Sequence, residues 1–131
     1  MSAIAKGKTD THKLEAIAVK VRRHIIRMIK EAGSGHPGGS LSCTDMIVAL
    51  YFGKLKHNPK HPDWPDRDRF ILSKGHGCPA WYATLAEAGY FDVKELDTLR
   101  QFGRVDCRDI LKEASCLVLR FPAVLLGKAY L

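Results

Sequence analysis

Long apolar runs, patterned cysteines and blocks of like charge are all missing from this 131-residue chain. Each absence removes a class of protein. No apolar stretch reaches the ~18 residues of a membrane-spanning helix, so no membrane partner is expected. Residues Met1 to Asp10 are polar and hold no apolar signal core, which makes the cytoplasm the expected compartment. The four cysteines, Cys43, Cys78, Cys107 and Cys116, are widely spaced and fit neither a disulfide framework nor a zinc site. There is no internal repeat and no low-complexity tract.

What is present is a globular composition, 46% apolar and 27% charged, in a length that suits one domain. A compact chain of this size can bury roughly two-thirds of its unfolded surface. The net charge is +7, from 21 Lys and Arg against 14 Asp and Glu. The basic residues are scattered. Their densest group, Lys20, Arg22, Arg23, Arg27 and Lys30, reads as the solvated face of a helix, so no nucleic-acid partner is expected.

Apolar residues Leu14, Ile17, Val21, Ile25 and Met28 recur at spacings of three and four and predict a helix from Asp10 or Thr11 to Gly33. Asp10 or Thr11 can cap its start, and Gly33 stops it. A Gly-rich loop follows, Gly33 to Ser40. The next helix is expected to take Ser40 or Ser42 as its cap and to run through Thr44 to Phe52, burying Met46, Ile47, Leu50 and Tyr51. Residues 54–67, with three prolines, read as an ordered loop. Arg69-Phe70-Ile71-Leu72-Ser73 is the best strand candidate. A helix over Ala80 to Ala88 ends at Gly89, and Asp92 caps a fourth from Val93 to about Phe102. Helices, a strand and glycine turns in this order predict an α/β layered domain.

Two constellations can carry chemistry. Ser34-Gly35-His36-Pro37-Gly38-Gly39 sets a histidine between glycines, beside a helix start whose free N–H groups favour an anion. Ser73-Lys74-Gly75-His76-Gly77 follows the strand candidate and opens a helix, the place where α/β domains bind ligands. It lacks the glycine–lysine spacing of a P-loop. Each motif alone is equally readable as a plain connection with a surface histidine. His57 and His61 have metal-ligand spacing only on a helix, and Pro59 between them argues against one. His24 reads as a boundary residue, and Asp66, Arg67, Asp68 and Arg69 as a local salt-bridge cluster. Cys78 lies near a helix start that could lower its pKa, but no base is placed beside it.

Taken in order, Gly33 to Ser42 and Arg67 to Gly77, with Asn58-Pro59 and Trp64 between, resemble the N-terminal segment of transketolases over about residues 10–103. The Gly-Gly-Ser-Leu and Ser-Lys-Gly-His-Gly forms look most like the separately encoded N-terminal subunits of split transketolases. Deoxyxylulose-phosphate synthases are the nearest alternative. The resemblance implies an α/β fold, here its mostly helical and incomplete N-terminal part, that holds thiamine diphosphate with Mg²⁺. It implies transfer of a two-carbon ketol unit between sugar phosphates. By position, the resemblance implies that His36 is the catalytic and substrate-side histidine, with Ser34 also toward the substrate, and that His76, Lys74 and Gly75 lie on the cofactor's diphosphate side. A C-terminal transketolase section or subunit and a homo- or hetero-oligomer are the implied partners.

The family's Gly-Asp-Gly stretch with its downstream Asn, which supplies the metal ligands, does not occur in this chain. Neither does its later Gly-His-Pro segment, its Gly-Ser-Leu-Gly-Gln-Gly loop, or the domain carrying the activating glutamate. The pattern stops after Gly103, and residues 104–131 show neither helix nor strand period. The genetic code offers a reason. Val105 to Leu111 can be written GTA-GAT-TGC-AGG-GAC-ATC-CTG. Read from the last base of the first codon, this gives Arg-Leu-Gln-Gly-His-Pro. Val124 to Leu131 can be GTT-CTC-TTG-GGC-AAG-GCC-TAT-CTA. With a preceding G from Ala123, it reads Gly-Ser-Leu-Gly-Gln-Gly-Leu-Ser in the same frame. The chain is therefore expected to divide into a transketolase part, 1–103, and an out-of-frame tail, 104–131. Three functions compete: a section of a transketolase that is inactive alone, a truncated frameshifted product without function, and a stand-alone cofactor-binding module.

Overall fold

A computed structural model describes residues 10–101 of the chain. Three helices carry the fold: α1, Thr11–Glu31; α2, Pro37–Gly53; and α3, Cys78–Glu87. Two short 3₁₀ helices, Gly75–Gly77 and Val93–Thr98, flank α3. The start and stop of α1 follow the sequence. Asp10 accepts hydrogen bonds from the backbone N–H groups of His12 and Lys13, and Gly33 leaves the helix at φ 65°.

The core forms where the three helices meet. Val21, Ile25 and Met28 of α1 face Ile47, Val48 and Tyr51 of α2 and Ala80, Trp81 and Leu85 of α3. Every residue of α3 from Ala80 to Ala86 is buried, because α3 is enclosed by the other two helices. Trp81 is fully buried, and its indole N–H donates to the Tyr51 hydroxyl at 2.8 Å. Phe70 packs edge-on against both rings. Among the described residues no buried side-chain nitrogen or oxygen lacks a hydrogen-bond partner.

The structure corrects several expectations. Pro37, not a serine, marks the start of α2, so Ser40 and Ser42 lie inside the helix. Met46 is 56% exposed and Val48 is buried instead, since α2 is apolar on most sides and its pattern does not define one face. Asp92 does cap the last element, accepting from Lys94 N–H, but that element is a 3₁₀ helix ending at Thr98. Thr98 Oγ1 donates back to Glu95 O at 2.7 Å, and Leu99 then turns to extended backbone.

Among the described residues there is no strand. The segment 69–73 keeps a strand's alternation: Phe70 and Leu72 pack toward the core, while Arg69, Ile71 and Ser73 face out. A strand is completed by hydrogen bonds to a neighbour, and no described segment supplies them. The mostly helical character expected of this part is present, and the described residues do not confirm the sheet half of the α/β expectation. The tail 104–131 lies outside the described residues.

The loop at 54–67 is ordered by successive turns and closed by Asp68, which pairs with Lys56 through backbone and side chain at 2.8 and 2.7 Å. Asp68 is thus a loop clasp rather than part of a local charge cluster. Arg67 is buried and donates to Trp64 O at 2.9 Å. His57 is structural: Nε2–H donates to Tyr51 O at 2.7 Å, and in the neutral ring Nδ1 accepts from the Tyr90 hydroxyl at 2.9 Å. His24 bonds Glu87 at 2.8 Å and ties α1 to the end of α3.

Candidate functional site

The site begins with Pro37. Proline at the first helical position needs no hydrogen-bond partner for its nitrogen and pushes the preceding residue into extended backbone. His36 obeys, at φ −118° and ψ 113°, and becomes the N-cap of α2. Its side chain makes no capping hydrogen bond, so the first N–H groups of α2 are not capped by His36.

The second loop is pinned to α2. The fully buried Ser40 donates its hydroxyl to His76 O at 3.2 Å. Lys74 Nζ donates to Ser42 Oγ at 3.1 Å. A Cβ placed on Gly39 would meet Lys74 Cε at 3.5 Å and His76 O at 3.6 Å. One on Gly77 would meet Cys43 Sγ and Lys74 Cδ, each at 3.5 Å. A Cβ at either position would make ordinary van der Waals contact, so the glycines leave an open, side-chain-free approach between the loops while the bonds from Ser40 and Lys74 hold them together.

The result is that the His36 and His76 rings stand 6.5 Å apart, centroid to centroid, tilted by 42°. Both residues are exposed, as are Lys74 and Gly75. Among the described residues no carboxylate pairs with Lys74 or with either ring. The face thus combines an uncapped helix start, a lysine and two imidazoles, a donor set suited to an anion. Ser34 sits on the same loop as His36, where Arg100 Nη1 donates to its carbonyl at 2.9 Å and to its hydroxyl at 2.6 Å.

The family model described as transketolase, thiamine diphosphate binding domain, matches residues 13–109. The chain belongs to this family. Within the transketolases it is 51% identical over 83 residues to the 6-deoxy-6-sulfo-D-fructose transketolase subunit SqwG of Clostridium sp. (strain MSTE9), covering 63% of this chain and 30% of that protein. It is 45% identical over 98 residues to the chloroplastic transketolase of Solanum tuberosum, 73% of this chain and 13% of that protein. It is 42% identical over 91 residues to the transketolase of Treponema pallidum (strain Nichols), 69% of this chain and 14% of that protein. The chain thus spans less than a third of the length of these three transketolases.

A diphosphate fits the donors and the glycine-lined approach of this face. A metal ion does not: among the described residues no group of three or more His, Cys, Asp or Glu side chains comes together. Sequence reasoning missed Ser40 and Ser42 as ties between the loops, although proline's preference for the first helical position would have moved the cap to His36. It also missed Arg100, whose partner lies on a distant part of the chain. No described helix is long and apolar enough to cross a membrane.

Proposed function

We propose that this chain is the N-terminal part of a transketolase that moves a two-carbon ketol unit between sugar phosphates with thiamine diphosphate, and that it does not turn over alone. The observation that carries the reading is the convergence of His36 and His76 on one exposed, glycine-lined face. Thiamine diphosphate, when bound, supplies the carbanion stabilisation. Lys74, His76 and the backbone at Gly75 hold its diphosphate end. His36 faces the substrate, with Ser34 behind it, and moves protons at the substrate's oxygens, a task suited to an imidazole at neutral pH. The net charge of +7 favours the approach of phosphorylated sugars. We assign the Mg²⁺ ligands to the Gly-Asp-Gly and Asn expected in the frame that continues past codon 103, and the activating carboxylate to a C-terminal section or subunit.

We further propose that residues 104–131 are read out of frame. The codon arithmetic supports this by restoring two missing family segments, in order, at one shared offset.

The functional reading is tested in a chimera. Residues 10–101 replace the matching segment of the Solanum tuberosum transketolase. Ketol transfer from a ketose phosphate should persist. His76→Ala should weaken thiamine diphosphate binding by about 1.5–3 kcal/mol, the worth of a charge-assisted hydrogen bond. His36→Ala should lower kcat while leaving cofactor affinity nearly intact. A folded chimera indifferent to both substitutions contradicts the reading, as does turnover by the isolated chain.

A further inference from the structure

We propose that Arg100 is a positioning residue for the loop that carries His36. Arg100 has φ 65°, and it is the non-glycine residue that takes the left-handed region among those described. An arginine adopts this conformation only when its surroundings over-determine it. The surroundings here are the two bonds from Nη1 to Ser34 O and Ser34 Oγ, at 2.9 and 2.6 Å.

The loop has little else to hold it. Beyond the bond from the Ser34 hydroxyl to Ala32 O at 3.4 Å, no other hydrogen bond among the described residues ties Ser34 or Gly35. Gly35 has φ 135°, and a Cβ there would meet Ile29 Cγ2 at 3.4 Å and Arg100 Nη2 at 3.7 Å. The guanidinium therefore lies against the residue that immediately precedes His36. Pro37 fixes the backbone on one side of His36, and Arg100 fixes it on the other.

Among the described residues no carboxylate pairs with Arg100, and its Nη1 donates to two neutral acceptors of the loop. A guanidinium suits this role because its donors are planar and preorganised. The bonds reach Ser34 and not either imidazole, which makes Arg100 a positioning residue and not a catalytic one. What is positioned, the His36 ring opposite His76, takes its meaning from the function proposed above.

The test uses the full chain without cofactor and reads backbone ¹⁵N order parameters by NMR, together with the Cε1–H resonance of His36. Arg100→Gly keeps the backbone conformation without strain and removes the guanidinium. Arg100→Met keeps an apolar stem and removes the donors. Arg100→Lys restores a charged donor group. Order parameters at Gly35 and His36 should fall below about 0.6 in the Gly and Met variants, and the His36 resonance should move. The Lys variant should recover most of both. Order parameters at Val21 and Ile25 should stay at about 0.85 in all three. Unchanged order parameters at Gly35 and His36 in Arg100→Met overturn the proposal, and so does a Lys variant no better than Met. If Arg100→Gly and Arg100→Met both unfold, the Lys variant decides: a folded Lys variant with the wild-type order parameter at Gly35 supports the proposal, and one with a lowered value there overturns it. The readout needs no cofactor, so a failure of the transketolase reading in the chimera leaves it standing.

Discussion

The Lys74 side chain lies across Gly39, with Cε 3.5 Å from where a Gly39 Cβ would stand. Contact at that distance is ordinary van der Waals packing, so the protein itself tolerates alanine there. Gly39 is in the first turn of α2, where alanine is the better helix former. Gly39→Ala should therefore raise stability by about 0.5 kcal/mol. The same methyl group narrows the approach between Lys74 and His76, so thiamine diphosphate affinity in the chimera should fall several-fold. Thermal unfolding and calorimetric titration of one variant read both effects. A lower Tm, or an unchanged affinity, contradicts this account of the face.

His57 is a strut between α2 and the segment after α3. Tyr90→Phe should cost about 1 kcal/mol through the lost bond to Nδ1, and His57→Ala about 1–3 kcal/mol by leaving Tyr51 O and Tyr90 without their shared partner. Urea unfolding checks this, with the larger drop in midpoint for His57→Ala. Added Zn²⁺ should not shift the midpoint of the wild-type chain.

Arg22 and Asp45 join α1 to α2 through two hydrogen bonds, at 2.9 and 2.6 Å. The bond to Arg22 lowers the Asp45 pKa below its ordinary 3.8. The pair therefore contributes its stability above pH 3.8 and loses it as the pH falls through the lowered folded-state value. Both side chains are substantially exposed, so the contribution at pH 7 should be under about 1 kcal/mol. Asp45→Asn should cost that amount at pH 7 and nothing near pH 2. A cost at low pH equal to that at pH 7 would refute the ionic account.

For residues 104–131, the expectation is read from DNA. The bases past codon 103 should continue in the alternate frame, through Gly-His-Pro and Gly-Ser-Leu-Gly-Gln-Gly, to a Gly-Asp-Gly and a downstream Asn. A locus without that continuing frame rules the frameshift out.

Much of this architecture is legible in the residues themselves. The α1 stripe from Leu14 to Met28 is a clean 3.6-residue pattern with a capping Asp10 and a stopping Gly33, so sequence and structure agree within two residues. The α2 face was not legible, because an apolar helix without a clear stripe leaves its neighbours to choose which side is buried, and Met46 lost to Val48. The segment 69–73 has a strand's alternation, but pairing depends on a partner segment that local sequence does not contain. Both histidines were readable as a pair of glycine-bound loops. Their 6.5 Å approach was not, because it depends on Ser40 of one segment reaching His76 of another. Arg100 carried no local signal at all, since its meaning lies in a bond to Ser34 across the length of the fold.

The central claim is that the loops of His36 and His76 form one anion-receiving face. Titration of the full chain with inorganic diphosphate, followed by amide NMR, tests it most directly. The amides of Gly38, Gly39, Gly75 and His76 should shift together on a single binding curve, and His76→Ala should weaken that curve. Shifts confined to the basic face of α1, or no shift in either loop at saturating diphosphate, would contradict it.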